Sequence, residues 1–248
     1  MRFENKIALV TGGATGIGGA TAELFGAEGA TTLILDYNGE EGRANADRIN
    51  AAGGHAAFYQ VDVSSAASVA AAFEAIGREY GRLDVVVCSA GVLKGAYRAI
   101  DELPEEEWDA TIDTNLKGTY LTCKYAAALM EEAGSSVLLL ISSGAGVRGG
   151  SSSYAYAASK AGIHGMHYKL QSELGPRGVR LHVICPGGIA TPLKLENIAQ
   201  AAEVAGRDPE EAVARARQTL GDPMGVAKVL TFIASEDGSY INGTVFTR

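Results

Sequence analysis

Tyr156 and Lys160 stand four residues apart in the run Tyr156-Ala157-Ala158-Ser159-Lys160. That spacing puts both on one face of a helix, one turn apart. A free phenol, with a pKa of ~10, is a poor base at neutral pH. An ammonium beside it favours the phenolate. Lowering the pKa by ~2–3 units takes roughly 3–4 kcal/mol of electrostatic stabilisation, which a partly desolvated cleft can supply. The Y-x-x-x-K pattern is common on helices, but the neighbouring Tyr154 and Tyr168 lack the lysine. Ser143 lies just beyond an apolar run ending at Ile141. Its hydroxyl is placed to hydrogen-bond a substrate oxygen as charge develops there.

A second chemical signature lies near the start of the chain, in Thr11-Gly12-Gly13-Ala14-Thr15-Gly16-Ile17-Gly18. Its key glycines, Gly12, Gly16 and Gly18, are spaced G-x-x-x-G-x-G between an apolar run and a helical pattern. Glycines permit a tight turn and close backbone approach to a pyrophosphate, while free N–H groups at a helix start face the anion. In that setting the loop is a dinucleotide signal. Asp36 ends the second apolar run, eighteen residues after Gly18. A carboxylate there accepts hydrogen bonds from the adenine-ribose hydroxyls and repels the extra phosphate of NADP. Neither Thr15 nor Tyr37 is basic, and Arg43 is the one nearby cation, so NAD is the expected cofactor. Asp62-Val63 is suited to hold an adenine edge, and Ser89-Ala90-Gly91 is small enough for a cofactor to lie against the backbone. Oxidised nicotinamide would add positive charge beside Tyr156.

These groups need strands that end beside one another. Apolar runs at 7–10, 32–35, up to Val61, 85–88, 137–141, 180–185 and 244–246 alternate with helical patterns at 17–28, 40–52, 65–80, 105–133, 154–174 and 224–235. The succession predicts an α/β fold, a doubly wound, mostly parallel, Rossmann-like sheet of about seven strands with helices on both faces. Ligands in such sheets bind beyond the carboxyl ends of the strands, at the switch point. No linker or repeat divides the chain, so residues 1–248 are expected to form one dinucleotide-binding and catalytic domain. The charged, Ala-rich stretch at about 192–220 is expected to be a helical segment covering the substrate.

The net charge of −8 argues against a nucleic-acid partner, which needs clustered Lys and Arg. No apolar stretch approaches the ~18 residues of a membrane span. Cys88, Cys123 and Cys185 lack C-x-x-C spacing and read as small core residues in a reducing compartment. The first residues run straight into a strand with no signal-peptide pattern, so a cytoplasmic setting is expected. His164 and His167 have no acidic partner at metal-ligand spacing, and no metal is expected.

Taken in order, the T-G-x-x-x-G-I-G loop, Asp36, Asp62-Val63, Ala90-Gly91, Asn115, Ser143, Tyr156, Lys160 and Pro186-Gly187 through Thr191 resemble the short-chain dehydrogenases/reductases of the compact, single-domain kind. The resemblance covers nearly the whole chain. It implies that Ser143 orients the substrate oxygen and Tyr156 exchanges its proton. Lys160 would bind the nicotinamide ribose and depress the Tyr156 pKa, and Asn115 would hold a water that relays protons outward. Pro186, Gly187, Ile189 and Thr191 would meet the nicotinamide end. The expected activity is hydride transfer between NAD(H) and a secondary alcohol or carbonyl compound in a homo-oligomer, a tetramer or dimer. A non-catalytic dinucleotide sensor on the same fold is the alternative, separated by NADH production from secondary alcohols. Val92, Leu93, Tyr97, Ala145, Val147, Gly150, Tyr154, Gly188 and Leu193 are candidates for the substrate pocket, with Lys194, Glu196 and Arg148 as polar contacts. Four features depart from the pattern: Ser89 for a usual Asn, His182 for a frequent Asn, Met224-Gly225 for an acidic pair, and an end at Phe246-Thr247-Arg248 where relatives continue.

Overall fold

The computed structural model describes residues 1–133 and 135–247; Arg248, part of the C-terminal departure, lies outside them. In chain order the elements are β1 (Ile7–Thr11), α1 (Gly16–Ala27), β2 (Thr31–Asp36), α2 (Gly39–Ala51), β3 (His55–Gln60), α3 (Ala66–Tyr80) and β4 (Val85–Cys88). Then come α4 (Glu105–Ile112), a π turn (Asp113–Lys117), α5 (Gly118–Glu132), β5 (Ser136–Ile141), a short α6 (Gly144–Val147), α7 (Tyr154–Leu174) and β6 (Val179–Cys185). The chain closes with α8 (Pro192–Val204), α9 (Pro209–Thr219), α10 (Pro223–Ala234) and β7 (Gly243–Phe246).

The strands form one parallel sheet in the order β3-β2-β1-β4-β5-β6-β7. Alternate side chains leave opposite faces of a strand, and both faces here are apolar. Leu33, Leu35, Val86, Leu138 and Leu140 meet α3, α5 and α7 through Phe73, Ile76, Leu121, Met130 and Ile163. Ile34, Val85, Val87, Leu139 and Ile141 meet α1, α2 and α10 through Phe25, Ile49, Leu230 and Ile233. Burial on both faces explains why β4 is the unbroken run Val85-Val86-Val87-Cys88.

Register brings the functional ends together. Thr11 pairs with Leu35 on one side and Cys88 on the other. Cys88 pairs with Leu140, and Ile141 with Ile184. The chain order reverses between β1 and β4, so the crevice opens over the carboxyl ends of these strands.

Candidate active site

A cavity of about 940 Å³ opens over those ends. At one end is the turn from β1 into α1. Gly12 and Gly16 have φ of +66° and +59°, where a side chain is strained. A Cβ on Gly18 would stand 2.1 Å from the Gly12 carbonyl oxygen, so this helix start admits glycine alone. The N–H groups of the first turn of α1 have no intrahelical acceptor, and the preceding Thr15 side chain caps none of them. Asn45 of α2 braces the loop from behind, donating to the Gly13 carbonyl at 2.7 Å. This cradle of bare backbone donors fits a dinucleotide diphosphate.

Asp36 stands at the end of β2. Its carboxylate accepts from the backbone N–H of Ala14 at 3.0 Å and of Asn38 at 2.9 Å, and it borders the cavity beside exposed Tyr37. Asp62, beyond β3, accepts from the Ser64 hydroxyl at 2.6 Å and backbone at 2.9 Å. Thr11 Oγ1 accepts from the N–H groups of Ser89 at 3.2 Å and Ala90 at 3.4 Å, tying the ends of β1 and β4. Val63, Gly91, Pro186, Gly187, Ile189 and Thr191 complete the wall that the sequence assigns to cofactor.

The wall to which the sequence assigns proton handling is built from β5 and α7. Ser143 caps α6: its Oγ accepts from Ala145 N–H at 3.2 Å, which leaves its proton free to donate. Ser153 caps α7 by accepting from Tyr156 N–H at 3.2 Å. Its own hydroxyl donates to the Lys94 carbonyl at 2.7 Å, fixing the helix start against the loop after β4. One turn on, Lys160 is 4% exposed, donates from Nζ to the Ile141 carbonyl at 2.9 Å, and stands 5.7 Å from the Tyr156 ring centroid. Burial lowers its pKa from 10.5 to about 8. Burial also pushes the Tyr156 phenol above its usual 10, with the Ser143 hydroxyl pulling it partly back. The direction is opposite to the one expected of the Tyr–Lys pair. The physical reason is desolvation: the same dry wall that holds Lys160 penalises the phenolate.

Asn115 lies in the π turn and is fully buried, off the cavity wall, where Thr114 takes the neighbouring place. Its Oδ1 accepts from Val92 N–H at 2.8 Å, and its Nδ2 donates to the Val92 carbonyl at 2.9 Å and Ser159 Oγ at 3.1 Å. The side chain therefore joins the loop after β4 to α7 and has no free donor for a water. Its carbonyl accepts from Thr119 Oγ1 at 2.6 Å.

The chain matches the family model described as short chain dehydrogenase over residues 6–202. The chain belongs to that family. It is 35% identical over 259 residues to a 3beta-hydroxysteroid dehydrogenase of Mediterraneibacter gnavus, covering 98% of this chain and 93% of the relative. A 3-oxoacyl-(acyl-carrier-protein) reductase of Thermotoga maritima is 34% identical over 246 residues, covering 99% and 96%. A D-threitol dehydrogenase of Mycolicibacterium smegmatis is 39% identical over 192 residues, covering 77% and 73%. Among solved structures, levodione reductase superposes with a TM-score of 0.90 at 29% identity, covering 99% of this chain and 96% of that one. The chain is thus an oxidoreductase of the short-chain dehydrogenase family, which binds a nicotinamide cofactor.

Of the residues foreseen for the substrate end of this dehydrogenase, Val92, Leu93, Tyr97, Ala145, Gly150, Gly188, Leu193 and Lys194 border the cavity. Val147, Arg148, Tyr154 and Glu196 do not: all four are exposed, and Arg148 lies 3.7 Å from the Phe246 ring centroid. Sequence reasoning missed Ser152 and Asn197. Asn197 Nδ2 donates to Ser152 Oγ at 3.1 Å, and the Tyr97 hydroxyl donates to Asn197 Oδ1 at 3.2 Å. Tyr97 holds φ at +61°, a strained value for a side-chain-bearing residue. It also missed Ser142, whose hydroxyl donates to the Lys160 carbonyl at 2.8 Å and braces α7 against β5.

Proposed function

We propose that this dehydrogenase couples NAD(H) to the interconversion of a secondary alcohol and its carbonyl compound, with Tyr156 as general acid and base. The observation that carries the reading is the continuity of one cavity from Asp36, past the glycine cradle, to Ser143, Tyr156 and Lys160. Bound nicotinamide supplies or accepts the hydride. Ser143 donates a hydrogen bond to the substrate oxygen, and Tyr156 Oη gives or takes the proton on that oxygen. A phenol held above its usual pKa by burial is a proton donor at neutral pH, which suits carbonyl reduction. The positive charge of oxidised nicotinamide favours the phenolate that alcohol oxidation requires. Lys160 borders the same wall and supplies the ammonium that holds the ribose.

The choice of NAD rests on charge. Among the described residues the cations bordering the cavity are Lys160 and Lys194, and neither belongs to the Asp36 strand end. Arg43 is turned to the Phe58 ring at 5.4 Å and does not border the cavity. A 2′-phosphate would therefore meet Asp36 without a counter-ion. α8 carries Leu193, Lys194 and Asn197 to the wall and serves as the substrate cover. Exposed Tyr168, Tyr120 and Phe232 on the outer helices support a homo-oligomer, and three buried free cysteines support a reducing cytoplasm. The test is NADH formation from a panel of secondary alcohols, run beside NADP. Turnover with NAD on at least one alcohol is expected; a clear NADP preference would sink the reading of Asp36.

A further inference from the structure

The phosphate loop Thr11–Gly18 contains no lysine or arginine. A dinucleotide diphosphate lying on it meets backbone donors but no full countercharge. The carboxylates of Asp36 and Asp62 border the same cavity, in a chain of net charge −8. Among the described residues two cations border it, Lys160 and Lys194. Lys160 is held at the proton-handling wall by the Ile141 carbonyl. Lys194 is in none of the ion pairs among the described residues. It is the third residue of α8, where a cation opposes the helix dipole and gains nothing from its own element.

The start of α8 abuts the phosphate loop: a Cβ on Gly16 would lie 3.3 Å from Thr191 Cγ2 and 3.7 Å from Pro192 Cδ. Helical side chains lean toward the N-terminus of their helix. That lean carries the Lys194 stem toward Thr191 and the loop, and away from Asn197. We propose that Lys194 is the counter-ion of the cofactor diphosphate, and that this contact couples cofactor occupancy to the seating of α8. The proposal rests on reading the cavity as a dinucleotide site. α8 is then held at two points. Lys194 meets the diphosphate in its first turn, and Asn197 meets Ser152 and Tyr97 one turn later. Cofactor thereby fixes the helix that closes the substrate end.

Fluorescence titration of NADH into the wild-type chain, Lys194→Ala and Lys194→Arg tests this without any substrate. Lys194→Ala should weaken NADH on the order of tenfold at low salt, and Lys194→Arg should stay within about threefold of wild type. The affinity of Lys194→Ala should also depend less on salt, because one screened charge contact is gone. Adenosine, which lacks phosphate, should bind wild type and Lys194→Ala alike. Hydrogen exchange over residues 192–204 should slow on adding NADH to wild type, and slow less in Lys194→Ala. Equal NADH affinity in wild type and Lys194→Ala would overturn the proposal. So would a loss that falls equally on NADH and adenosine. A wild-type chain that bound no NADH would instead overturn the dinucleotide reading itself.

Discussion

His182 sits in β6 with 2% of its surface exposed, and its ring nitrogens have no hydrogen-bond partner among the described residues. Burial, then the charges of Arg180 and His167, lower its pKa from 6.5 to about 4. The folded protein holds the ring neutral while the unfolded chain takes a proton near pH 6.5. Its contribution to stability is therefore present above pH 6.5 and is lost as pH falls toward about 4. Thermal melts of His182→Leu should decline less steeply than wild type across that window, and parallel curves would contradict this. Asp36 carries the other residue-scale prediction. Replacing it with Ser removes the charge facing a 2′-phosphate and should improve NADPH affinity relative to NADH by about tenfold or more, read by paired titrations. An unchanged ratio would show that Asp36 does not select the cofactor. Both residues were legible as strand positions from the sequence. The sign of the Tyr156 shift was not, because it depends on how dry the wall is, and helical spacing carries no information about that.

At the scale of elements, the strands were legible to within a residue or two, because a sheet buried on both faces requires continuous apolar runs. α7 was read with its observed bounds, Tyr154–Leu174. The stretch expected to be helical over 105–133 is helical throughout 105–132, its α hydrogen bonding interrupted once by the π turn at Asp113–Lys117. That interruption follows from the bonds of Asn115 to Val92 and Ser159, contacts between distant parts of the chain that no local pattern records. The break between α8 and α9 did leave a local signal. Asp208 caps the N–H groups of Glu210 and Glu211, with Pro209 at the first helical position. Two substitutions probe these elements. Asn115→Leu strips both backbone groups of Val92 of their partner and should cost ~1–3 kcal/mol in denaturant unfolding. Gly18→Ala places a methyl 2.1 Å from the Gly12 carbonyl. It should destabilise by ~1–3 kcal/mol and weaken NADH binding, since the backbone of the cradle must move. A Gly18→Ala protein with wild-type NADH affinity would argue that the cradle is not the phosphate site.

On the scale of the whole molecule, the sheet order β3-β2-β1-β4-β5-β6-β7 sets the division of labour. In the proposed reaction, residues from β1 to β3 would hold the adenine and phosphate side, and residues from β5 and α7 would handle the proton. β6 leads into α8, which starts beside the phosphate loop at Thr191 and Pro192 and, one turn on, places Asn197 against Ser152 and Tyr97. The order of motifs along the chain made this plan legible, since each motif follows a strand. The substrate end was less legible, because Ser152 and Asn197 meet only after the loop and α8 have folded together. The central claim is that a hydride step on NAD is paired with a proton step at Tyr156. Its most direct test is NADH formation by wild type and Tyr156→Phe on the best alcohol of a panel. The phenylalanine variant keeps the fold and removes the exchangeable proton, so its kcat should fall about a hundredfold or more. Full activity in Tyr156→Phe would contradict the account.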